Sequence, residues 1–246
     1  MDWIVCTACE VGKRQSQQDR IQVIHTGEIR LLVLADGMGG HPRGDLAAQS
    51  VIDAADALLA ETATHDCSLE WLLTTILEKA HASLVALKEA LGVSPRTTCI
   101  LLAIRGETAY WAHIGDSRLY VLRDGCVLKR TRDHSVTQML VDMRKLDEEA
   151  MGTHPDQGRL LRSLSADKPP NADFDQLQLE TGDVFVACSD GVWEMTQAAE
   201  ISEFGKISRR LESLQDLATK MVRRSVDRAG VDADNACLGV IAGRLT

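Results

Sequence analysis

Apolar and polar positions follow three rhythms along the chain, and each predicts a kind of element. Trp3–Cys9 and Arg20–Thr26 read as strands joined by the polar segment Glu10–Asp19. After the turn signal Gly27-Glu28, Ile29–Ala35 is unbroken apolar, the pattern of a strand buried on both faces. Asp45–Ala60 then places Leu46, Ala47, Val51, Ala54, Ala55, Leu58 and Leu59 at helical spacing. Ser68–Leu91 predicts a second helix, with Ser68 as its cap and Trp71, Leu72, Ile76 and Ala80 as its apolar stripe. Strand rhythm returns in Thr97–Arg105, Glu107–Ile114, Ser117–Arg123 and Cys126–Thr131, with tight turns at Arg105-Gly106 and Asp124-Gly125. Arg132–Asn171 is polar and broken, with a short helix near Val136–Met143. Asp173–Leu179 and Asp183–Ser189 form a further hairpin, Glu212–Arg228 an amphipathic helix, and Ala236–Arg244 a closing strand.

This order is not a regular β-α-β alternation. It predicts antiparallel sheets with helices segregated to the outside, a layered α+β sandwich. The 246 residues suit one large domain, and no repeat, low-complexity tract or linker divides them. Acidic residues outnumber basic ones, 36 to 27, for a formal net charge of −9. That balance disfavours nucleic acid and anionic membranes as partners. No apolar run reaches the ~20 residues of a membrane helix, and Asp2 stands where a signal peptide carries positive charge. The expected location is the cytoplasm. Seven cysteines, an odd number, predict a reducing compartment without a disulfide framework. Cys6 and Cys9 have CxxC spacing, but on a strand they face opposite sides, and no second CxxC completes a zinc site.

The chemistry lies in the acids. A carboxylate–glycine pair follows an apolar strand twice, as Asp36-Gly37 and Asp190-Gly191. Asp234 stands just before the closing strand, and Asp19 just before the second. Carboxylates at the ends of buried strands are costly unless something pairs them. Several such acids together point to hard metal ions held by oxygen.

Read in order, the motifs are Arg14-x-x-Gln17-Gln18-Asp19, Leu34-Ala35-Asp36-Gly37-Met38-Gly39-Gly40-His41, Ile114-Gly115-Asp116-Ser117-Arg118, Asp133-His134-Ser135, Ser189-Asp190-Gly191 and Asp234-Asn235. The series resembles the bacterial branch of the metal-dependent PP2C-type (PPM) Ser/Thr protein phosphatases, from about Trp3 to Arg244. The resemblance implies a four-layer α-β-β-α sandwich of two antiparallel sheets with helices outside, as one domain over residues 1–246. It implies a variable flap over about 131–170. It implies two Mn2+ or Mg2+ ions on Asp19, Asp36, Asp190 and Asp234, with the Gly37 carbonyl as a further ligand. A third, weaker ion in this family corresponds to Asp116, with Asp190 shared. Arg14 corresponds to the arginine that binds substrate phosphate, and a guanidinium can fork onto two phosphate oxygens. Asp36 and Asp190 are then the central catalytic carboxylates, and His41 is the nearest candidate proton donor. The implied activity is hydrolysis of phosphoserine and phosphothreonine by a water activated at the binuclear centre. The implied partners are phosphoproteins, a Ser/Thr kinase of the Hanks type or its targets, with type VI secretion control as one setting, and the implied state is a monomer.

The family pattern is broken at three places. Gln18 stands where Glu is common, and Met38 where some relatives carry a catalytic His. After His154-Pro155, the usual Arg-Asn is replaced by Gln157-Gly158, a change at a place that bears on substrate choice. The alternative to an enzyme is a catalytically weak or dead relative that binds phosphoproteins. Two other enzyme readings fail on spacing. The glycines after Asp36 do not match GxGxxG, and Gly115-Asp116-Ser117 lacks the downstream histidine of a GDS-type esterase.

Overall fold

The computed structural model describes residues 3–38, 43–62, 67–207 and 211–243. In chain order the strands are β1 (Trp3–Glu10), β2 (Asp19–Thr26), β3 (Ile29–Asp36), β4 (Arg96–Thr97), β5 (Cys99–Arg105), β6 (Thr108–Ile114), β7 (Arg118–Arg123), β8 (Cys126–Arg130), β9 (Leu164–Ser165), β10 (Asp173–Gln178), β11 (Val184–Cys188) and β12 (Ala236–Gly243). The helices are α1 (Gly44–Thr62), α2 (Leu69–Leu91), α3 (Val136–Asp142), α4 (Asp190–Trp193), α5 (Ala198–Ile201), α6 (Glu203–Ile207) and α7 (Leu211–Ala229). The expected α+β class, with antiparallel sheets and helices against them, is what the chain forms. None of the described helices is long and apolar enough to cross a membrane.

Two units make up this fold. The first comprises residues 18–114 and 163–179. Its antiparallel sheet runs β10-β6-β5-β3-β2, with β4 and β9 as a separate short pair. Alternate residues Leu31, Val33, Ala35, Leu101 and Ala103 join one core cluster with Ala47, Val51, Ala55 and Leu58 of α1 and Leu72, Ile76 and Ala80 of α2. The small alanine side chains of α1 let its axis approach the sheet closely. Leu32, Leu34, Ile100 and Leu102 point to the opposite face and are fully buried as well. The unbroken apolar run of β3 thus meets its expectation. Each such Leu or Ile contributes about 1.5–3 kcal/mol on burial. Ser68 caps α2 by accepting the Trp71 N–H, 3.1 Å, as expected. Trp71 itself does not join the stripe. It is 46% exposed, and Leu69 and Leu73 fill the buried face instead.

The second unit comprises residues 1–17, 115–162 and 180–246. Its sheet runs β1-β12-β11-β7-β8, antiparallel throughout. Ile4, Cys6, Leu122, Val184, Val186, Leu238 and Val240 form a core with Leu214, Ala218, Met221 and Val222 of α7 and with Trp193 and Phe204. The Asp124-Gly125 hairpin between β7 and β8 forms as predicted. Both residues take positive φ, 53° and 73°, which matches the right-handed twist of the strands they join.

One expectation is corrected here. Cys9 and Cys237 form a disulfide, with an S–S distance of 2.01 Å. They are direct register partners of β1 and β12, so antiparallel pairing alone brings them together. Cys6 faces the other side and is buried as a free thiol in the α7 core, so the CxxC pair does not act as a unit.

Glu200 ties the C-terminal end of α7 to this unit. Its carboxylate meets Arg228 at 2.8 and 3.0 Å and Arg224 at 2.6 Å, and it accepts the Gln197 N–H at 3.1 Å. Arg228 first, then the Gln197 N–H and Arg224, hold it down to about 2 against the opposing effect of burial. Its folded value lies below the ~4.3 of an unfolded glutamate. Its stabilisation is therefore present above about pH 4.3 and is lost as pH falls towards 2. Glu200→Gln should lower Tm at pH 7 by about 2–4 °C, as for loss of about 1 kcal/mol. The gap between variant and wild type should narrow in melts near pH 3 and close only below about pH 2. An undiminished gap below that pH would show that the carboxylate charge is not what stabilises this corner.

Candidate active site

In the first unit, Asp19 opens β2 and Asp36 closes β3, and the two are register partners. Asp19 is buried. The backbone of Asp36 is held from both sides. Its N–H donates to Thr98 Oγ1 at 3.0 Å, and its carbonyl accepts from Thr98 N at 2.8 Å and Thr97 Oγ1 at 2.9 Å. Gly37 follows in a tight cradle. A Cβ there would lie 2.2 Å from the Gly44 carbonyl oxygen and 2.9 Å from that of Gln18, so the chain can pass only with glycine. The Gly37 N–H donates to the Gln18 carbonyl at 3.3 Å.

In the second unit, Arg14, Asp190 and Asp234 line one cavity of about 330 Å³, with Gln157 and Glu194 also in its wall. Arg14 grips Asp234 with both arms, Nε to Oδ1 at 2.8 Å and Nη2 to Oδ2 at 2.7 Å. Asn235 fixes the loop that carries Arg14, donating from Nδ2 to the carbonyls of Val11 at 2.8 Å and Ser16 at 3.1 Å. Gly12, at φ 65°, lets this loop lie directly on Asp234, whose carbonyl oxygen would be 2.2 Å from a Cβ. Asp190 heads the short helix α4. Gly191 permits its close approach to β12, since a Cβ would lie 2.1 Å from the Asn235 carbonyl oxygen. Ser189 ties the two strand ends together, its N–H donating to Cys237 O and its Oγ accepting the Cys237 N–H, both at 3.0 Å.

Asp116 is buried beside this group. Burial and then the charges of Asp190 and Asp133 push its carboxyl well above the usual range, with Arg118 opposing. Glu194 is pushed up to about 9 by burial, then by Asp190, Asp116 and Asp234. These carboxyls cannot all ionise together without a positive partner. Such a donor set, all oxygen and under charge stress, fits a hard divalent cation.

A rigid clamp supports Asp116. Trp193 donates from Nε1 to the Asp116 carbonyl at 2.9 Å. The Arg118 guanidinium lies 3.5 Å from the Trp193 ring centroid and forks onto Asp133 at 3.0 and 2.7 Å. Both partners are buried, and Arg130 adds a second contact to Asp133 at 2.9 Å.

The structure thus groups Arg14, Asp116, Asp190 and Asp234 in one unit, and Asp19, Asp36 and Gly37 in the other. His41 lies outside the described residues. Sequence reading missed Glu194, although its place four residues after Asp190 was a usable signal, since i and i+4 share a helix face. It also missed the Trp193–Arg118 stack and the place of Gln157 in the cavity wall.

Two antiparallel sheets with helices, and acids at the strand ends with Asp190 and Asp234 in the wall of one cavity, describe a metal-dependent phosphatase. Residues 10–225 match the family described as protein phosphatase 2C, and the chain belongs to that family. It is 29% identical over 191 residues to the serine/threonine phosphatase Stp of Listeria innocua, spanning 76% of each chain. Among solved structures, the serine/threonine phosphatase of S. agalactiae superposes with a TM-score of 0.81 at 27% identity, covering 99% of this chain and all of that one. PppA, a key regulatory component of the T6SS in Pseudomonas aeruginosa, superposes at 0.76 with 26% identity over 98% of this chain and 97% of its own. The protein is a bacterial-type Ser/Thr protein phosphatase, an enzyme whose substrates are phosphoproteins.

Proposed function

We propose that this phosphatase works with two Mn2+ or Mg2+ ions held by Asp19, Asp36, Asp190, Asp234 and the Gly37 carbonyl, with Asp116 and Asp190 available to a third. The observation that carries this reading is the contact between Arg14 and Asp234 in the wall of the cavity that Asp190 shares. A phosphate receptor and a cation donor here hold each other. When bound, the ions supply positive charge at the phosphoryl oxygens and lower the pKa of the attacking water.

The residues of the chain do the rest. Asp234 would be one of the residues that hold a cation, which would leave the Arg14 guanidinium able to fork onto two phosphate oxygens. Asn235 and Gly12 keep the Arg14 loop in place. Bound positive charge would favour the ionised forms of Glu194 and Asp116. His41 is the proposed donor to the leaving serine or threonine oxygen. Residues 1–246 are proposed to work as one monomeric phosphatase domain, with 131–170 as the substrate-selecting flap. The proposed partner is a Ser/Thr kinase whose phosphorylation the enzyme reverses, and the likeness to PppA supports a setting in secretion control.

The test is phosphate release from a phosphothreonine peptide with Mn2+, with Mg2+ and with EDTA, for wild type beside Arg14→Ala. Turnover should need the metal. The variant should raise KM by about 10- to 100-fold, as for loss of a charge-assisted contact, with a smaller change in kcat. Turnover that resists EDTA, or an unchanged KM, would overturn the reading.

A further inference from the structure

Gln157 sits in the turn after His154-Pro155, a turn closed by its own backbone. The Gln157 N–H donates to the His154 carbonyl at 2.9 Å, and the Asp156 N–H to His154 Nδ1 at 3.0 Å. The turn therefore presents the side chain in a set direction. That side chain lines the cavity with Arg14, Asp190, Glu194 and Asp234. Its Nε2 is shielded from solvent and has no acceptor within hydrogen-bond reach. A primary amide nitrogen carries two N–H donors, and leaving them buried without a partner is unfavourable. Native proteins rarely keep such a group without a reason.

The neighbours sharpen the point. Asp190, Glu194 and Asp234 offer carboxylate oxygens in the same cavity, yet none takes the amide. The arginine usual at this place in the family could pair with those acids. A neutral donor does not. It stays available for an oxygen that arrives from outside. The substrate brings such oxygens, on its phosphate and on the main-chain carbonyls beside the phosphorylated residue.

We propose that Gln157 is a substrate-binding residue whose Nε2 donates a hydrogen bond to an oxygen of the phosphorylated peptide segment. This rests on the reading of the cavity as the place where phosphate is received. It also gives a physical role to the Gln157-Gly158 departure from the family pattern.

The experiment uses the full chain with Mn2+ and compares wild type, Gln157→Leu and Gln157→Glu on a phosphothreonine peptide and on p-nitrophenyl phosphate. Gln157→Leu should raise KM for the peptide about fivefold, the size of one hydrogen bond, with kcat within about twofold. Its Tm without substrate should match or exceed that of wild type by up to about 3 °C, because an unsatisfied buried donor has been removed. Gln157→Glu keeps the shape, replaces the donor by an acceptor, and should raise KM at least as much. A rise with both substrates assigns the bond to a phosphate oxygen. A rise with the peptide alone assigns it to a main-chain carbonyl. Unchanged KM on both substrates, a wild-type KM in Gln157→Glu, or a lowered Tm in Gln157→Leu would overturn the proposal. Wild-type turnover stands on its own for the phosphatase site, so an active wild type with unaltered variants rejects Gln157 alone. An inactive wild type would reject the cavity reading and this proposal together.

Discussion

Asp190→Asn should lower kcat/KM on a phosphothreonine peptide by about 100- to 10,000-fold, the scale expected when a metal contributes several kcal/mol to the transition state and its ligand is lost. The fold should survive. Asparagine has the shape of aspartate, and the backbone contacts of α4, including Glu194 N–H to the Asp190 carbonyl at 3.0 Å, do not involve the side chain. The substitution also removes a negative charge from a crowded group, where Asp190 is the leading charge acting on both Asp116 and Glu194. In EDTA the variant should therefore melt at or above the wild-type temperature. Added Mn2+ raises Tm only by binding the folded state, so the Mn2+-induced rise should be largely lost in the variant. These two readouts separate a metal ligand from a structural acid. A normal Mn2+ shift, or turnover within a few fold of wild type, would refute the assignment of Asp190.

The largest loss of stability is expected at Asp133. It neutralises Arg118, whose side chain is 7% exposed, and it contacts Arg130 as well. Removing one partner of a buried pair strands the other charge, at a cost of about 3–5 kcal/mol. Asp133→Ala should thus lower Tm by about 6–20 °C. Arg118 raises this above an ordinary pair, because its guanidinium also stacks on Trp193, which bonds the Asp116 carbonyl. Asp156→Asn is the control. It removes an exposed pair with Arg159 and should shift Tm by no more than about 2 °C. Denaturant unfolding of the three proteins gives the comparison. Equal midpoints for Asp133→Ala and wild type would mean that Arg118 finds another partner, and the clamp would lose its place in the argument.

The two predictions differ in how far sequence could reach them. The acid at position 190 was readable because it combines a local pattern, an apolar strand ending in Asp-Gly, with a series of motifs in fixed order. The β3 strand, the α2 cap at Ser68 and the Asp124-Gly125 turn were readable for the same reason. Each depends on residues within a few positions of one another, and periodicity or turn chemistry acts over that range. The Asp133 clamp was only half readable. Its motif was visible, but apart from Arg130, three residues before Asp133, its partners lie on β7 and on α4, and nothing local joins those. Trp71 shows the opposite failure. It lies at the edge of the helical stripe, and spacing alone cannot tell which flank the sheet will cover.

What the sequence by itself determined is the family, the α+β class and the oxygen donors offered to a metal, since all three follow from residue types in order along the chain. The tertiary structure alone decided which distant groups touch. Arg14 meets Asp234 across 220 positions, and Cys9 meets Cys237 across 228, because the β1–β12 register brings the two ends of the chain side by side. The raised carboxyls of Asp116 and Glu194 belong with them. Their shifts come first from burial, which is created only when the strands and helices of this unit close around them, and then from neighbouring acids, of which only Asp190 is local to Glu194.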